Sequence, residues 1–262
     1  MRYRLAISHA CFWAFALLVQ SANAQPLDPI ATDRPGNGNA PTTVPLGFVQ
    51  LESSVSYAKV HGAPAALRTL SAPTAVRFGL LEGFELRVGT SLVGLHIEGN
   101  QQKSRATDTS LGAKLQLLDN HGLVPTLGAV VDVWLPTGSG PFTEDAVVPD
   151  GRLAATWSLP AGFGVLLNVG VDLPDDAEGR HLRLIYVTNF NYTLPVLAES
   201  VNVFVESYGR LAPARDDADI VQIDLGVAWL LRPDAQLDLF SQHALSDAAP
   251  DLQIACGFSL RI

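Results

Sequence analysis

The residues with the clearest capacity for chemistry are acidic and basic side chains that recur at every second position among apolar ones. Glu85 and Arg87, for example, alternate with Phe84, Leu86 and Val88. Side chains two positions apart lie on the same face of a β-strand, so this period predicts a charged face opposite an apolar one. The predicted charged face consists of Glu52, Arg77, Glu85, Arg87, Lys114, Asp132, Arg152, Asp172, Arg183, Glu206, Asp224, Asp238 and Arg261.

Acids and bases nearly balance in this charged face, and two interpretations stay open. The side chains either line a narrow aqueous passage, where they would contact permeating solutes, or join in ion pairs that fill an interior. Buried charges are normally paired whether or not anything passes them, so ion pairs are expected in both cases.

Motifs of enzymatic or metal chemistry are lacking in the sequence. Ser241, His243 and Asp247 are close along the chain, but a hydrolytic triad requires a spatial arrangement that adjacency does not supply. There is no Gly-rich phosphate loop, zinc-ligand spacing or haem motif. Acidic loop residues such as Asp175 and Asp219 are expected to be solvated rather than to bind Ca²⁺. The sequence therefore predicts neither an enzyme nor a cofactor or metal site.

The elements that would position the charged face are β-strands that follow one another to the end of the chain. The predicted ranges are Phe48–Tyr57, Thr69–Phe78, Phe84–Leu95, Thr109–Leu117, Leu127–Leu135, Arg152–Leu159, Phe163–Leu173, His181–Tyr192, Ser200–Tyr208, Ile220–Leu230, Ala235–Leu245 and Leu252–Ile262. In a membrane barrel, apolar side chains face lipid and polar ones face the lumen, with an even number of strands. The pattern predicts an all-β fold, a transmembrane antiparallel up-and-down β-barrel of about 12 strands, over residues 47–262.

Connections between the predicted strands alternate between short and long, as the two ends of an outer-membrane barrel require. Short links such as Pro160 to Gly162 are expected on the periplasmic side, and longer polar ones such as Pro136 to Asp150 outside the cell. Aromatic residues of outward parity gather beside the short links and predict a periplasmic girdle: Phe78, Phe84, Trp157, Phe163, Phe190, Tyr192 and Trp229. The N-terminus is then expected in the periplasm.

The first 24 residues are typical of a cleaved secretory signal peptide. Basic residues precede an apolar run, and Ala22 and Ala24 form an Ala-x-Ala cleavage site. Loss of Arg2 and Arg4 takes the formal charge from −9 to −11, which argues against nucleic acid as a partner. Cys256 is the one cysteine left after cleavage, so no internal disulfide is expected.

Residues 25–46 are rich in Pro, Gly, Asn and Thr and show no periodicity, which predicts an irregular periplasmic segment. Two hypotheses remain for it. The segment could fold back and dock Asp33 and Arg34 in the lumen as a small plug, or it could be a disordered lead peptide.

Several stretches resemble the outer-membrane barrel family associated with the meta-pathway of phenol degradation. They are Thr32-Asp33-Arg34-Pro35, Gly47-Phe48-Val49-Gln50-Leu51-Glu52, Leu135-Pro136-Thr137-Gly138 and the C-terminal Ser259-Leu260-Arg261-Ile262. Gly36 to Asn39 depart from the family pattern, which usually has an acidic and an aromatic residue there. Ile262 replaces the aromatic residue usual at the C-terminus of such barrels. The resemblance implies a barrel that carries small, apolar or aromatic molecules.

The sequence as a whole predicts a passive channel or transporter for small molecules in the outer membrane of a Gram-negative bacterium. The alternative is a closed barrel with a structural or surface-interaction role that its extracellular loops perform. Expected partners are outer-membrane lipid, lipopolysaccharide, small solutes and the barrel-assembly machinery, which would recognise the C-terminal strand.

Overall fold

The computed structural model of the chain describes residues 27–60, 67–98, 101–177, 179–195, 200–214 and 219–262. The predicted signal peptide lies outside the described residues. Strands within the described ranges are β1 (Val49–Val60), β2 (Leu67–Leu81), β3 (Phe84–Glu98), β4 (Gln101–Ser104), β5 (Thr109–Leu118), β6 (Thr126–Leu135), β7 (Val148–Ser158), β8 (Phe163–Asp172), β9 (Asp175–Asp176), β10 (Gly179–Arg180), β11 (Arg183–Leu194), β12 (Val201–Leu211), β13 (Ile220–Arg232), β14 (Ala235–Ala244) and β15 (Leu252–Arg261). Short 3₁₀ turns occupy Gly140–Phe142 and Pro160–Gly162.

Twelve of the described strands form a closed antiparallel barrel, which confirms the predicted fold class. The first strand pairs with β2 on one side and with the last strand, β15, on the other. The remaining wall strands follow in chain order as β3, β5, β6, β7, β8, β11, β12, β13 and β14. Closure leaves no unpaired strand edge, which is why a sheet can span a membrane in this form.

Two small elements lie outside the wall. Strand β4 folds back on the far end of β3, and β9 pairs with β10 to form a hairpin in the connection between β8 and β11. Both belong to the long connections, whereas the link between β2 and β3 is the turn Glu82–Gly83. Gly83 adopts a φ of +72° there, a conformation that favours glycine.

The outer and inner faces of the barrel differ in polarity as the period of two predicts. Large apolar side chains are exposed on the outside, including Val55, Phe163 and Val169, each more than half accessible. Inside, the fully buried side chains include Arg77, Glu85 and Lys114. The apolar surface thus faces outward and the polar one inward, the arrangement expected where the surroundings are lipid.

An apolar patch interrupts the polar interior on β11 and β12. Ile185, Val187 and Tyr208 pack together there, with Leu166 and Ile220 beside them. A second patch joins Phe204, Phe240 and Ala255. The lumen is therefore not uniformly charged.

Candidate functional site in the barrel lumen

The residues of the predicted charged face all lie on the interior side of the wall strands. Most are less than 9% exposed, and the side chains of Arg87, Arg152 and Arg183 are 13–15% exposed. They form separate basic and acidic regions, and the N-terminal segment 27–46 contacts both.

The basic region is built by β2, β3 and β5, with Arg77 at its centre. Its guanidinium donates to Glu52 at 2.7 Å and to the two carboxylate oxygens of Glu85 at 2.8 and 2.9 Å. It also donates to the carbonyl oxygens of Ala31 and Thr42, which belong to the N-terminal segment. Arg77 therefore joins the barrel wall to the segment at two points.

Asp33 of the segment lies against three described cations of this region. Its Oδ1 accepts from Lys114 Nζ at 2.7 Å, and its Oδ2 accepts from Arg87 at 3.0 Å. Arg77 is 3.7 Å from the same Oδ2. Inside the segment, the Ala40 backbone N–H donates to Asp33 Oδ1 at 2.8 Å and so folds the chain around the carboxylate.

These contacts determine the ionisation of Asp33. Burial alone would raise the pKa of its carboxyl, but Arg77, Lys114 and Arg87 outweigh burial and hold the pKa well below its usual range. The docked Asp33 is therefore an anion at neutral pH and below it.

Arg34 reaches the acidic region, which lies on β12, β13 and β14. Its guanidinium donates to Asp238 of β14 at 3.3 Å, and the Asp238 side chain is fully buried. Gly257 of β15 makes room for this ion pair, because a Cβ there would lie 2.7 Å from Arg34 Nε. The segment thus presents its acid to the basic region and its base to the acidic region.

Glu206 and Asp224 form the rest of this acidic region. They are directly opposite each other on β12 and β13, and none of the described cations pairs with either. Asn37 of the segment contacts both: its backbone N–H donates to Glu206 at 2.7 Å, and its side-chain amide donates to Asp224 at 2.8 Å. Gly36, with a φ of +90°, lies so close to Glu206 that a Cβ would approach the carboxylate to 2.8 Å.

Backbone groups of the segment are also bound by wall side chains. The Asn39 N–H donates to Asn168 at 2.6 Å, and the amide of Asn168 donates back to the Asn39 carbonyl oxygen at 3.1 Å. The Val44 N–H donates to Glu85 at 2.7 Å. Polar side chains of the wall therefore replace the water that an irregular backbone would otherwise bind.

Two glycines in the wall leave space for the backbone of the segment. A Cβ at Gly128 of β6 would lie 2.9 Å from Pro41 Cα, and a Cβ at Gly79 of β2 would lie 2.5 Å from the Val44 carbonyl oxygen. Cβ atoms do not approach other atoms so closely, so the segment could not follow this course past larger residues.

A row of carboxylates crosses β6, β7 and β8 at one level. Asp132 is opposite Asp150, and Asp150 is opposite Asp172. Arg152 binds both oxygens of Asp150, at 2.9 and 2.8 Å, and Arg183 binds both oxygens of Asp172, at 2.9 and 3.0 Å. Pairing of this kind is what the low-dielectric interior of a barrel requires.

Arg261 contacts the start of the segment. It donates to the Asp28 carbonyl oxygen at 2.7 Å and lies over the Phe48 ring, 5.9 Å from its centre. It therefore anchors the start of the segment at the short-turn end of the barrel.

Two cavities lie in the described part of the lumen. The outer cavity, of about 370 Å³, is at the long-loop end and is lined by Trp134, Phe142, Asp172, Arg183 and Arg210, among others. The inner cavity, of about 400 Å³, is at the short-turn end and includes segment residues from Ala31 to Thr42 in its wall. The segment and its ion pairs occupy the level between them.

Sequence reasoning missed several of the residues in these contacts. The sixth predicted strand begins at Arg152 and therefore leaves Asp150 out of the charged face. The corresponding strand of the structure, β7, begins at Val148 and includes it. Arg210 lies beyond the predicted end of its strand, but β12 extends to Leu211. Both follow the inward parity of their strands, so a longer strand assignment would have found them. No periodic signal marks Asn37 or Asn39.

Other chemistry considered from the sequence has no geometric support in the described residues. Ser241 and His243 are on the outward parity of β14, and no hydrogen bond joins them there. The described residues contain no group of three or more His, Cys, Asp or Glu side chains placed to hold a metal ion. No described helix is long and apolar enough to cross a membrane.

Similarity to known proteins agrees with this architecture. An outer-membrane channel from Pseudomonas putida F1 has a TM-score of 0.71 at 14% identity, covering 87% of this chain and 99% of that one. The NanC porin has a TM-score of 0.52 at 8% identity, covering 82% and 100% of the two chains. The KdgM porin has a TM-score of 0.52 at 10% identity, covering 80% and 98%. These likenesses establish a shared fold.

Sequence comparison is more specific about the family. No curated protein sequence matches the chain. A family model described as "Putative MetA-pathway of phenol degradation" matches residues 32–262, which include the segment from Thr32 onward and the whole barrel. The chain belongs to that family.

Proposed function

We propose that the protein is an outer-membrane channel for small molecules, and that the segment 27–46 enters its lumen from the periplasm as a plug. The observation that carries this proposal is the position of the segment between two cavities, one at each end of the barrel. Segment residues from Ala31 to Thr42 form part of the wall of the inner cavity, and none of the described segment residues lines the outer one. Displacement of the segment would join the cavities.

The charged face supports a role in passage as well as in packing. Arg87, Arg152 and Arg183 each keep part of their side chain accessible, and Arg183 lines the outer cavity. A solute that entered from the long-loop end would meet these groups first. Glu52, Arg77 and Glu85 are fully enclosed in mutual ion pairs, and their role is to hold the wall and the segment in place.

The location follows from the same architecture. An apolar exterior on a closed barrel requires a membrane, and channels and porins of this fold reside in the outer membrane. Export would use residues 1–24 as a cleaved signal peptide. Assembly would use the C-terminal strand, β15, and the long loops would face lipopolysaccharide.

A closed barrel with a structural or surface-interaction role is the second candidate. The specific observation in its favour is the dense bonding of the segment, in which Asp33, Arg34, Asn37 and Asn39 all have wall partners. If the segment never leaves, solutes do not cross.

The apolar or aromatic nature of a solute is an implication of family membership, and the Trp134 and Phe142 rings in the outer cavity are compatible with it.

Planar-bilayer conductance of the refolded mature protein tests the proposal against this alternative. The informative variant is Asp33→Ala with Arg34→Ala, which removes the two charges by which the segment binds the basic and the acidic region of the wall. Its matched control is Arg232→Ala with Asp234→Ala, an ion pair of 3.1 Å that is 64% and 43% exposed in a turn. Both variants lose one acid and one base.

The channel proposal predicts discrete conductance steps that become larger or more frequent in the first variant and stay unchanged in the control. Silence of all three proteins, once each is shown to be folded and inserted, would establish the closed barrel instead.

A further inference from the structure

The binding site for the Asp33 carboxylate is made by the barrel wall, not by the segment. Arg77 lies on β2, Arg87 on β3 and Lys114 on β5, three strands that pair directly with one another in that order. Arg77 and Arg87 also pair with carboxylates of the wall, whereas the hydrogen bonds described for Lys114 all go to the segment, and its wall partner Glu85 is 3.9 Å away. The segment contributes the anion and one backbone N–H, from Ala40, to the described contacts.

Removal of Asp33 would affect the three cations differently. Arg77 would keep its bonds to Glu52 and Glu85. Arg87 would keep one ion pair, to Asp132 at 3.3 Å. Lys114 would lose both of its short contacts, at 2.7 and 3.0 Å, and would keep the Thr42 carbonyl oxygen at 3.5 Å and Glu85 at 3.9 Å.

Once the segment has left, the described carboxylate within 4 Å of Lys114 is Glu85, and both Glu85 oxygens are already bound by Arg77, so the ammonium charge is only partly compensated. The Lys114 side chain is fully buried. When the segment leaves, the wall therefore has a position for one anion between Lys114 and Arg87. This is the position that the Asp33 carboxylate occupies in the docked state.

We propose that this position is a binding site for a carboxylate-bearing solute, and that Asp33 occupies it as an internal ligand when the segment is docked. The inference rests on the proposed channel function, to which it adds a substrate class and a mechanism of opening. One carboxylate oxygen of the solute would bind Lys114, as Asp33 Oδ1 does, and the other would bind Arg87, as Asp33 Oδ2 does.

The outer cavity provides a route to this site. Thr90 and Ser91 line that cavity and follow Arg87 on the same strand, β3. Arg210 also lines it, and its buried Nε has no hydrogen-bond partner, with Asp172 Oδ2 at 3.5 Å. Guanidinium groups bind carboxylates in bidentate geometry, so Arg210 would receive the solute before it reaches Lys114.

Solute binding and segment docking are mutually exclusive at this position. By linkage, a ligand that binds only the undocked state shifts the population towards that state. A carboxylate solute would therefore open the channel that carries it. The docked segment would in turn lower the apparent affinity for the solute. That affinity equals the affinity of the undocked state multiplied by the fraction of molecules that are undocked.

Calorimetric titration of the folded mature protein in detergent with sodium acetate tests this inference without requiring conductance. Sodium chloride at equal ionic strength is the reference. The variants are Asp33→Ala, Asp33→Ala with Lys114→Gln, and the matched control Asp234→Ala, which removes an exposed acid from a turn. Acetate should bind Asp33→Ala at least about tenfold more tightly than the parent protein or the control. It should not bind the variant that also lacks Lys114.

Equal affinity of the parent protein and Asp33→Ala would overturn the inference, as would acetate binding that survives the loss of Lys114. If the Lys114 variant does not fold, Asp33→Ala with Arg87→Gln serves in its place, because Arg87 is the second cation of the site. Acetate binding by a protein that never conducts would disprove the channel proposal and leave the anion site standing. Conductance without acetate binding would disprove the anion site and leave the channel proposal standing.

Discussion

Gly128→Ala is the smallest change that should displace the segment, because it adds one methyl group and no charge. The added Cβ would lie 2.9 Å from Pro41 Cα. On one side of Pro41 the segment is fixed by Asp33, and on the other by the bond from the Val44 N–H to Glu85 at 2.7 Å. The backbone between these anchors cannot move away without weakening one of them.

The magnitude follows from the cost of overpacking. Forcing a methyl group into a filled space typically costs about 1–3 kcal/mol. Since each 1.4 kcal/mol changes an equilibrium about tenfold, the ratio of undocked to docked segment should rise about 5-fold to about 140-fold. The barrel itself should not lose stability, because the clash is with the segment and β6 keeps its pairing with β5 and β7.

Single-channel recording measures this ratio as the fraction of time spent in the conducting state. The matched control is Gly151→Ala on β7, where an added Cβ would meet nothing within 4 Å. Gly128→Ala should conduct more often than the parent protein, and Gly151→Ala should match the parent. Equal open fractions in the two variants would refute the idea that the segment blocks the lumen along this path.

Three further predictions concern the charges and the outer surface. Because docking lowers the pKa of Asp33, its contribution to docking is complete above the ordinary carboxyl pKa and is lost only as the pH falls through the lower, docked value. The difference in open fraction between the parent protein and Asp33→Ala should therefore stay constant from pH 7 to about pH 5 in recordings, and a difference that shrinks over this range would contradict the assignment. Asp238→Asn should raise the open fraction less than Asp33→Ala does, because Arg34 makes a single contact of 3.3 Å there; a larger effect of Asp238→Asn would place the main anchor at Arg34. Phe163→Leu should lower the free energy of unfolding in lipid vesicles by about 0.5–1.5 kcal/mol through loss of the ring contact with Tyr192 at 4.7 Å, and unchanged denaturant midpoints would exclude that contribution.

The barrel could be predicted from the alternation of apolar and polar residues alone. Strict alternation along Phe163–Asp172 and Leu252–Arg261 defines which side chains face outward, because a β-strand has only two faces and a lipid exterior requires one of them to be apolar. The alternation does not define where each strand ends, because pairing extends for as long as neighbouring strands provide partners. For that reason β7 begins at Val148 and includes Asp150, which the alternation alone did not reveal.

The contacts of the segment, in contrast, follow from the three-dimensional arrangement of the strands. Nothing in residues 27–46 is periodic, so no local pattern specifies that Asp33 meets Lys114 or that Asn37 meets Glu206 and Asp224. Those pairs join residues far apart in sequence, and they depend on how closure of the barrel places β5, β12 and β13 around one lumen. Local propensity fixes the faces of a strand, whereas only closure fixes which charges share an interior.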